Sequence, residues 1–398
     1  MDLPIKPPDR VVPDYSLTGD LLSYSRCAMQ YRYYNGSALP PSRPVQMWYG
    51  EFIHGVLESA FGMWRRDPGR HPFPWPSAPI PSDGAPSPPP ADLAVNDLRV
   101  IGWPIEQALA YEGKRARSRR ARMSAYRRAA AAVNMLGPHL FPLIADAEQK
   151  VIGTRSLPQP AAGVMLRSER YALHGVIDVL TNVELANVGE GNIIRDAVQA
   201  ACPELRGSFE VIVDYKGSHR PRLTEDHWQL GEWQVQTYAW LRERQRLGQP
   251  VAAGILIYVN ELAPSSDDIR RMNRAIQNNQ TDVVPVRGDA DYYALNTWTS
   301  GAAPGLSAAF RYRRAIRVIP VTPQSIDNAT RQFDRIVCEI EGRVRDEEMR
   351  GSIRDTWPPT SDSLETCVAC DFRHFCPRPA GSRDEIITAE AVGDDDDV

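Results

Sequence analysis

The sequence predicts an α/β fold in which a small mixed sheet is flanked by helices. Three observations carry this expectation: an amphipathic helix early in the chain, three short strand-like segments in its middle, and a second helix that delivers the chain to a buried strand. At 398 residues the chain has room for two or three average domains, or for one catalytic domain with large insertions.

The first helix is predicted from Met47 to Arg66, because Met47, Trp48, Phe52, Ile53, Val56, Leu57, Phe61 and Trp64 recur at three- and four-residue steps, with His54 in the middle. Residues 68 to 90 are dense in proline with glycine and serine. Such a composition sustains neither helix nor central strand, so an extended, exposed insertion is expected. The Ala- and Arg-rich stretch from Ile105 to Leu136 should return to helix. Strand character follows at Lys150 to Arg155, Tyr171 to Leu180 and Phe209 to Lys216, with a Gly- and Asn-containing insertion from Thr181 to Ser208. A helix from Glu225 to Leu247 ends at Gly248 and Pro250, and AGILIYV from Ala253 to Val259 reads as a buried strand. Ala263 to Arg317 is polar and weakly periodic and carries no assignment, whereas Pro323 to Met349 is a strong helix.

The chain therefore divides into an N-terminal segment (1–46), a core (47–66 and 147–260), a Pro- and Arg-rich insertion (67–146), a second insertion (261–320), a C-terminal helical segment (321–380) and an acidic, disordered tail (381–398).

Apolar residues make up 42% and charged residues 24%, as in ordinary globular proteins. No apolar run approaches the roughly 20 residues that cross a bilayer, and the N-terminus lacks a secretory signal, so a cytoplasmic protein is expected. Six cysteines are too few for a disulfide scaffold in so long a chain. The net charge of −4 is unevenly spread: residues 111 to 130 hold eight basic side chains against one acid, while the tail holds seven acids against one arginine. Arginine outnumbers lysine 42 to 4, which makes each lysine's position informative.

Hydrolysis of a phosphodiester at neutral pH needs a cation to polarise the phosphoryl oxygen and activate water, plus a positive side chain to stabilise developing charge. Hard cations prefer carboxylates. The sequence offers GVID, ending on Asp178, and then VDYKG, with Asp214 and Lys216 two residues apart in a strand. Period-two geometry puts these two on one face and Tyr215 on the other. On the next helix, Gln234 and Tyr238 of QVQTY are four residues apart and share a face.

His54 in a helix, then GVID, VDYK and QVQTY in that order, resembles the RecB-like branch of the PD-(D/E)XK nucleases, and the resemblance spans residues 16 to 377. It implies a nuclease core in which His54, Asp178, Asp214 and Tyr215 stand at a Mg2+ or Mn2+ ion. Asp178, Asp214 and Lys216 would then be catalytic, and Gln234 and Tyr238 would orient substrate or the lysine. The implied activity is metal-dependent DNA cleavage, an exonuclease acting on single strands or DNA ends, in DNA repair, phage defence or CRISPR-type processing.

Cys367, Cys370 and Cys376 form C-x2-C-x5-C, and Cys27 stands far upstream in SYSRCAMQYRYY. Four thiolates can close a tetrahedral zinc site or hold a cubane cluster, and spacing does not separate the two. The split pattern, one cysteine before the core and three after it, resembles the iron-sulfur clasp of CRISPR-associated RecB-like exonucleases and AddB-type subunits. That resemblance implies a [4Fe-4S] cluster, with Zn2+ as the alternative. Cys202 and Cys338 are expected to be ordinary thiols.

The basic segment supplies Arg115, Arg119 and Arg122 as candidate contacts to a DNA backbone, against the plainer expectation of a solvated helix. Trp228, Trp233 and Trp240 are expected in the core. The chain shows no Walker-type phosphate loop, so unwinding would require a separate helicase or defence-complex subunit. Two rival readings remain: a non-catalytic DNA-binding or scaffold subunit of a nuclease-helicase complex, and a zinc-ribbon nucleic-acid-binding protein.

Overall fold

In the computed structural model, residues 12–35, 45–81, 86–158, 168–245, 250–299, 305–361, 366–367, 370–373 and 375–377 are described. The acidic tail lies outside them. The elements run β1 (Asp14–Ser16), α1 (Leu22–Arg26), α2 (Ala28–Tyr34), α3 (Val45–Arg66), α4 (Leu98–Tyr111), α5 (Arg119–Leu140), β2 (Ile144–Ser156), β3 (Arg170–Glu184), α6 (Ile193–Ala201) and β4 (Ser208–Lys216). They continue with α7 (Asp226–Glu243), β5 (Val251–Tyr258), α8 (Ser266–Gln277), α9 (Ala290–Asn296), α10 (Ala308–Ala315), β6 (Ile316–Pro320), α11 (Pro323–Arg350) and α12 (Ile353–Thr356).

One mixed sheet of six strands organises the molecule: β2 to β5 fall where the sequence patterns put strands, and β1 and β6 were not expected. β3 pairs antiparallel with β2 along one edge. Its other edge is shared: β1 runs parallel to residues 172–174, and β4 pairs antiparallel with residues 179–184. Between those two partners β3 is left open around Asp178. β4 is parallel to β5, the two being joined through α7, and antiparallel β6 closes the far edge.

Alternation along β4 divides two cores. Phe209, Val211, Val213 and Tyr215 face the layer of α3, α4 and α5, while Ile212 faces α7 and α11. With both faces covered, β4 is nearly continuous in apolar residues, and Asp214 is 4% exposed within it.

The structure departs from the sequence expectations in several places. The Ala/Arg-rich stretch forms two helices rather than one: Gly113, at φ +81°, lies just past the end of α4, and Ser118 caps α5 by accepting from Ala121 N. The proline-dense segment has no regular element in its described residues, yet it is pinned rather than loose. Trp75 is buried, stacks with Phe73 at 5.5 Å and exchanges hydrogen bonds with Asn134 of 2.6 and 3.0 Å. The second insertion folds as α8 to α10 around Ile269, Met272, Leu295, Leu306 and Phe310, and then supplies β6. The Gly/Asn insertion contains α6, capped by Asn192. Trp233 and Trp240 are core residues; Trp228 is half-buried, with Arg317 and Arg220 against its ring.

Candidate active site

Where β3 and β4 part, six sequence-selected side chains converge, those of His54, Asp178, Asp214, Lys216, Gln234 and Tyr238, with the backbone of Tyr215. Lys216 Nζ lies 2.7 Å from Asp214 Oδ2 and donates to Gln234 Oε1 at 2.6 Å, while Gln234 Nε2 donates to Asp214 Oδ1 at 2.8 Å. Strand period sets the first contact, and α7 brings Gln234 across the second face to close the triangle. Tyr238, one turn later, is buried beside Gln234, and its ring occupies the space over Gly175, where a Cβ would come within 2.6 Å. Burial raises the Tyr238 hydroxyl pKa, so this group stays protonated.

Asp178 stands beside this triangle. Its Oδ2 accepts from Tyr215 N at 2.9 Å and lies 3.5 Å from His54 Nδ1. His54 Nε2 is 2.9 Å from the Tyr215 carbonyl oxygen, which makes the backbone of Tyr215 the part that faces the site while its ring packs in the core. Burial, and then the charge of Asp214, push the Asp178 carboxyl up to about 7, with His54 opposing them.

Sequence reasoning missed Glu148. On β2 it falls between the pairs Ala147↔Val179 and Gln149↔Ile177, opposite Asp178. His54, Glu148 and Asp178 each offer a ligand atom, and these atoms lie within 4.8 Å of one another. Glu148 adopts φ 51°, a left-handed conformation that costs a non-glycine residue about 1 kcal/mol or more and persists only where its surroundings impose it. Its carboxyl pKa is raised by burial and by Glu58, which lines the same pocket from one turn beyond His54.

This donor set fits a hard divalent cation. Asp178 and Glu148 supply two carboxylates beside His54, while Asp214, outside that group of ligand atoms, adds its charge next to Asp178. Asp214 Oδ2 is buried without a hydrogen-bond donor, since the nearby Lys216 ammonium is poorly aligned with it. The imidazole of His54 adds a ligand type that suits Mn2+ better than Mg2+.

The four selected cysteines line one cavity, but they are not among the described groups whose ligand atoms lie within 4.8 Å of one another. Cys27 sits at the joint between α1 and α2, and Cys27, Cys367, Cys370 and Cys376 line one small cavity with Tyr33 and Phe372. The C-terminal segment is tied to the N-terminal helices by Met29 N donating to Pro358 O, Ala28 N to Thr360 Oγ1, Asp371 N to Tyr34 Oη, and by Tyr33 stacked on Phe372 at 4.5 Å. Burial, helped by charge on Cys27 and Cys367, pushes the Cys370 thiol up to about 11. Among the six cysteines, Cys202 is buried and Cys338 half-buried away from this cavity.

The basic segment is not one continuous surface. Arg122 is buried and forms a two-pronged ion pair with Glu106 at 2.5 and 2.9 Å, so its role is in the core and it is withdrawn as a DNA contact. Arg115 and Arg119 are exposed and line a cleft of about 350 Å³ against Pro81 and Pro86. Lys114 is held by Glu51, three residues before His54 on α3, so this segment begins about one helical turn from the site.

No protein-family model matches the chain, and no curated protein matches it significantly. No helix among the described residues is long and apolar enough to cross a membrane.

Proposed function

We propose that the chain is a divalent-metal-dependent DNA nuclease of the RecB-like PD-(D/E)XK type. The observation that carries the reading is the Asp214–Lys216–Gln234 triangle set beside Asp178, His54 and Glu148 at the open edge of β3. A lysine held against the buried Asp214 carboxylate, with Asp178 beside it, is costly in a structural core and is explained where an anionic substrate and a cation complete the charge balance.

Asp178, Asp214, Glu148 and His54, with the Tyr215 carbonyl, are the groups that would hold Mg2+ or Mn2+. When bound, such an ion polarises a phosphoryl oxygen and lowers the pKa of water. Lys216 keeps its charge directed at the reacting phosphate because Gln234 fixes its ammonium and Asp214 neutralises it only in part. Gln234 binds both partners at once, so it holds the lysine and the aspartate in register. Tyr238, packed on Gly175, limits how far Gln234 can move.

The cysteine cavity is read as a [4Fe-4S] site, with Zn2+ as the alternative. Four thiol ligands from both ends of the chain would tie those ends across the core, and a bound group there stabilises the fold as a cross-link does. A scaffold function without chemistry is disfavoured by the complete carboxylate, lysine and glutamine set. The test is incubation of purified protein with end-labelled single- and double-stranded DNA and Mg2+ or Mn2+: shortened products support the nuclease, and intact DNA with retained binding supports the scaffold.

A further inference from the structure

Two residues past Lys216, the chain enters the wall of a wide cleft. This cleft measures about 680 Å³ and is lined by residues between Ser218 and Leu230, by Arg26 of α1, by Arg271 of α8, and by Thr360, Ser361 and Thr366. Ser361 and Thr366 also line the cysteine cavity, so the cleft joins the exit of β4 to the clasp.

Most charges on its walls are already used. Arg314 is paired with Glu261 at 2.9 Å, Arg220 is bound to Asp282, Arg222 reaches Glu225 at 3.7 Å, and Asp268 is held by Arg128 and His219. Arg26 and Arg271 differ. Both are exposed to the cleft, and neither has an ion pair or hydrogen bond among the described residues. Arginines placed in this way on two separate elements are supplied for an anion that arrives from outside.

We propose that this cleft carries the phosphate backbone of one nucleic-acid strand between Lys216 and the clasp, with Arg26 and Arg271 as its unshared phosphate contacts. The proposal rests on the nuclease reading. A concave trough with cations inside it admits a single strand, whereas a duplex would ride over the rim. Leu230 and Met272 in the walls offer apolar contact to bases without selecting among them.

The experiment is fluorescence anisotropy of a labelled single-stranded oligonucleotide, and of its duplex, with full-length protein in metal-free buffer across a salt series. Each phosphate contact on a single strand contributes about 0.7 to the slope of log K against log salt, so Arg26→Ala/Arg271→Ala should lose about 1.4 and bind roughly tenfold more weakly at 0.15 M salt. Arg26→Lys/Arg271→Lys, which keeps the charges, should recover the slope. An unchanged slope in the alanine variant overturns the assignment, and an equal loss for the duplex overturns its single-strand character. Hydrolysis of bis(p-nitrophenyl) phosphate by wild-type protein with Mn2+ tests the underlying reading separately: activity there with an unchanged slope sinks the cleft alone, whereas no activity and no strand binding sink both.

Discussion

Replacing Asp178 by asparagine in the metal-free protein should raise stability at alkaline pH and flatten its pH dependence. The side chain is 14% exposed, and burial, reinforced by Asp214, lifts its carboxyl from 3.8 to about 7. A folded-state pKa above the unfolded value means that the native protein binds this proton more tightly. The stabilisation is complete below about pH 4 and is lost as pH rises through about 7. Three units at 1.36 kcal/mol each set an upper limit of about 4 kcal/mol, of which roughly 3 kcal/mol falls between pH 5 and pH 8. Asparagine keeps an acceptor for Tyr215 N and has no charge to lose. Urea denaturation of both proteins in EDTA at pH 5 and pH 8 should show wild type losing roughly 3 kcal/mol more than Asp178→Asn. Parallel losses in the two proteins would show that Asp178 is not the strained carboxylate described here.

Three further outcomes follow from the same geometry. Glu148→Gln removes a charge from the His54–Asp178 group, so isothermal titration should show Mn2+ binding weakened by about tenfold, the lower end of what a lost ligand-sphere residue costs; unchanged titration would place Glu148 outside the cation site. Cys27→Ser should strip the protein of iron, or of zinc, and of absorbance near 400 nm if a cluster is present, and should expose the terminal segments to protease before the core. Full metal retention would show that Cys27 is not a ligand. Gly175→Ala puts a Cβ against the Tyr238 ring, so thermal unfolding should report a loss of about 1 to 3 kcal/mol, and an unaltered melting temperature would contradict the packing described.

The contrast between what the sequence revealed and what it hid is physical. Asp214, Lys216, Gln234 and Tyr238 were legible because their contacts follow from local periods of two and of about four. The strong helices at 45–66 and 323–350 and the apolar strands were legible for the same reason. Glu148 was not, because antiparallel register with β3 brings it opposite Asp178, and no local pattern encodes that register. β6 was hidden because its inner residue Arg317 looks like a surface charge, and only the stack on Trp228 and the pairing with Glu232 make its burial tolerable. Arg122 misled for the opposite reason: in a run of arginines its ion pair with Glu106, on the preceding helix, leaves no trace in spacing.

In the proposed reaction, Asp214 and Lys216 perform metal-dependent cleavage of DNA. The most direct measurement sets wild-type, Asp214→Ala and Lys216→Ala proteins side by side on end-labelled DNA with Mn2+, after circular dichroism has established that all three are folded. Shortened products are expected from wild type only, with their disappearance in EDTA and at least a hundredfold lower rate in each variant. Cleavage at the wild-type rate by either folded variant would contradict that assignment.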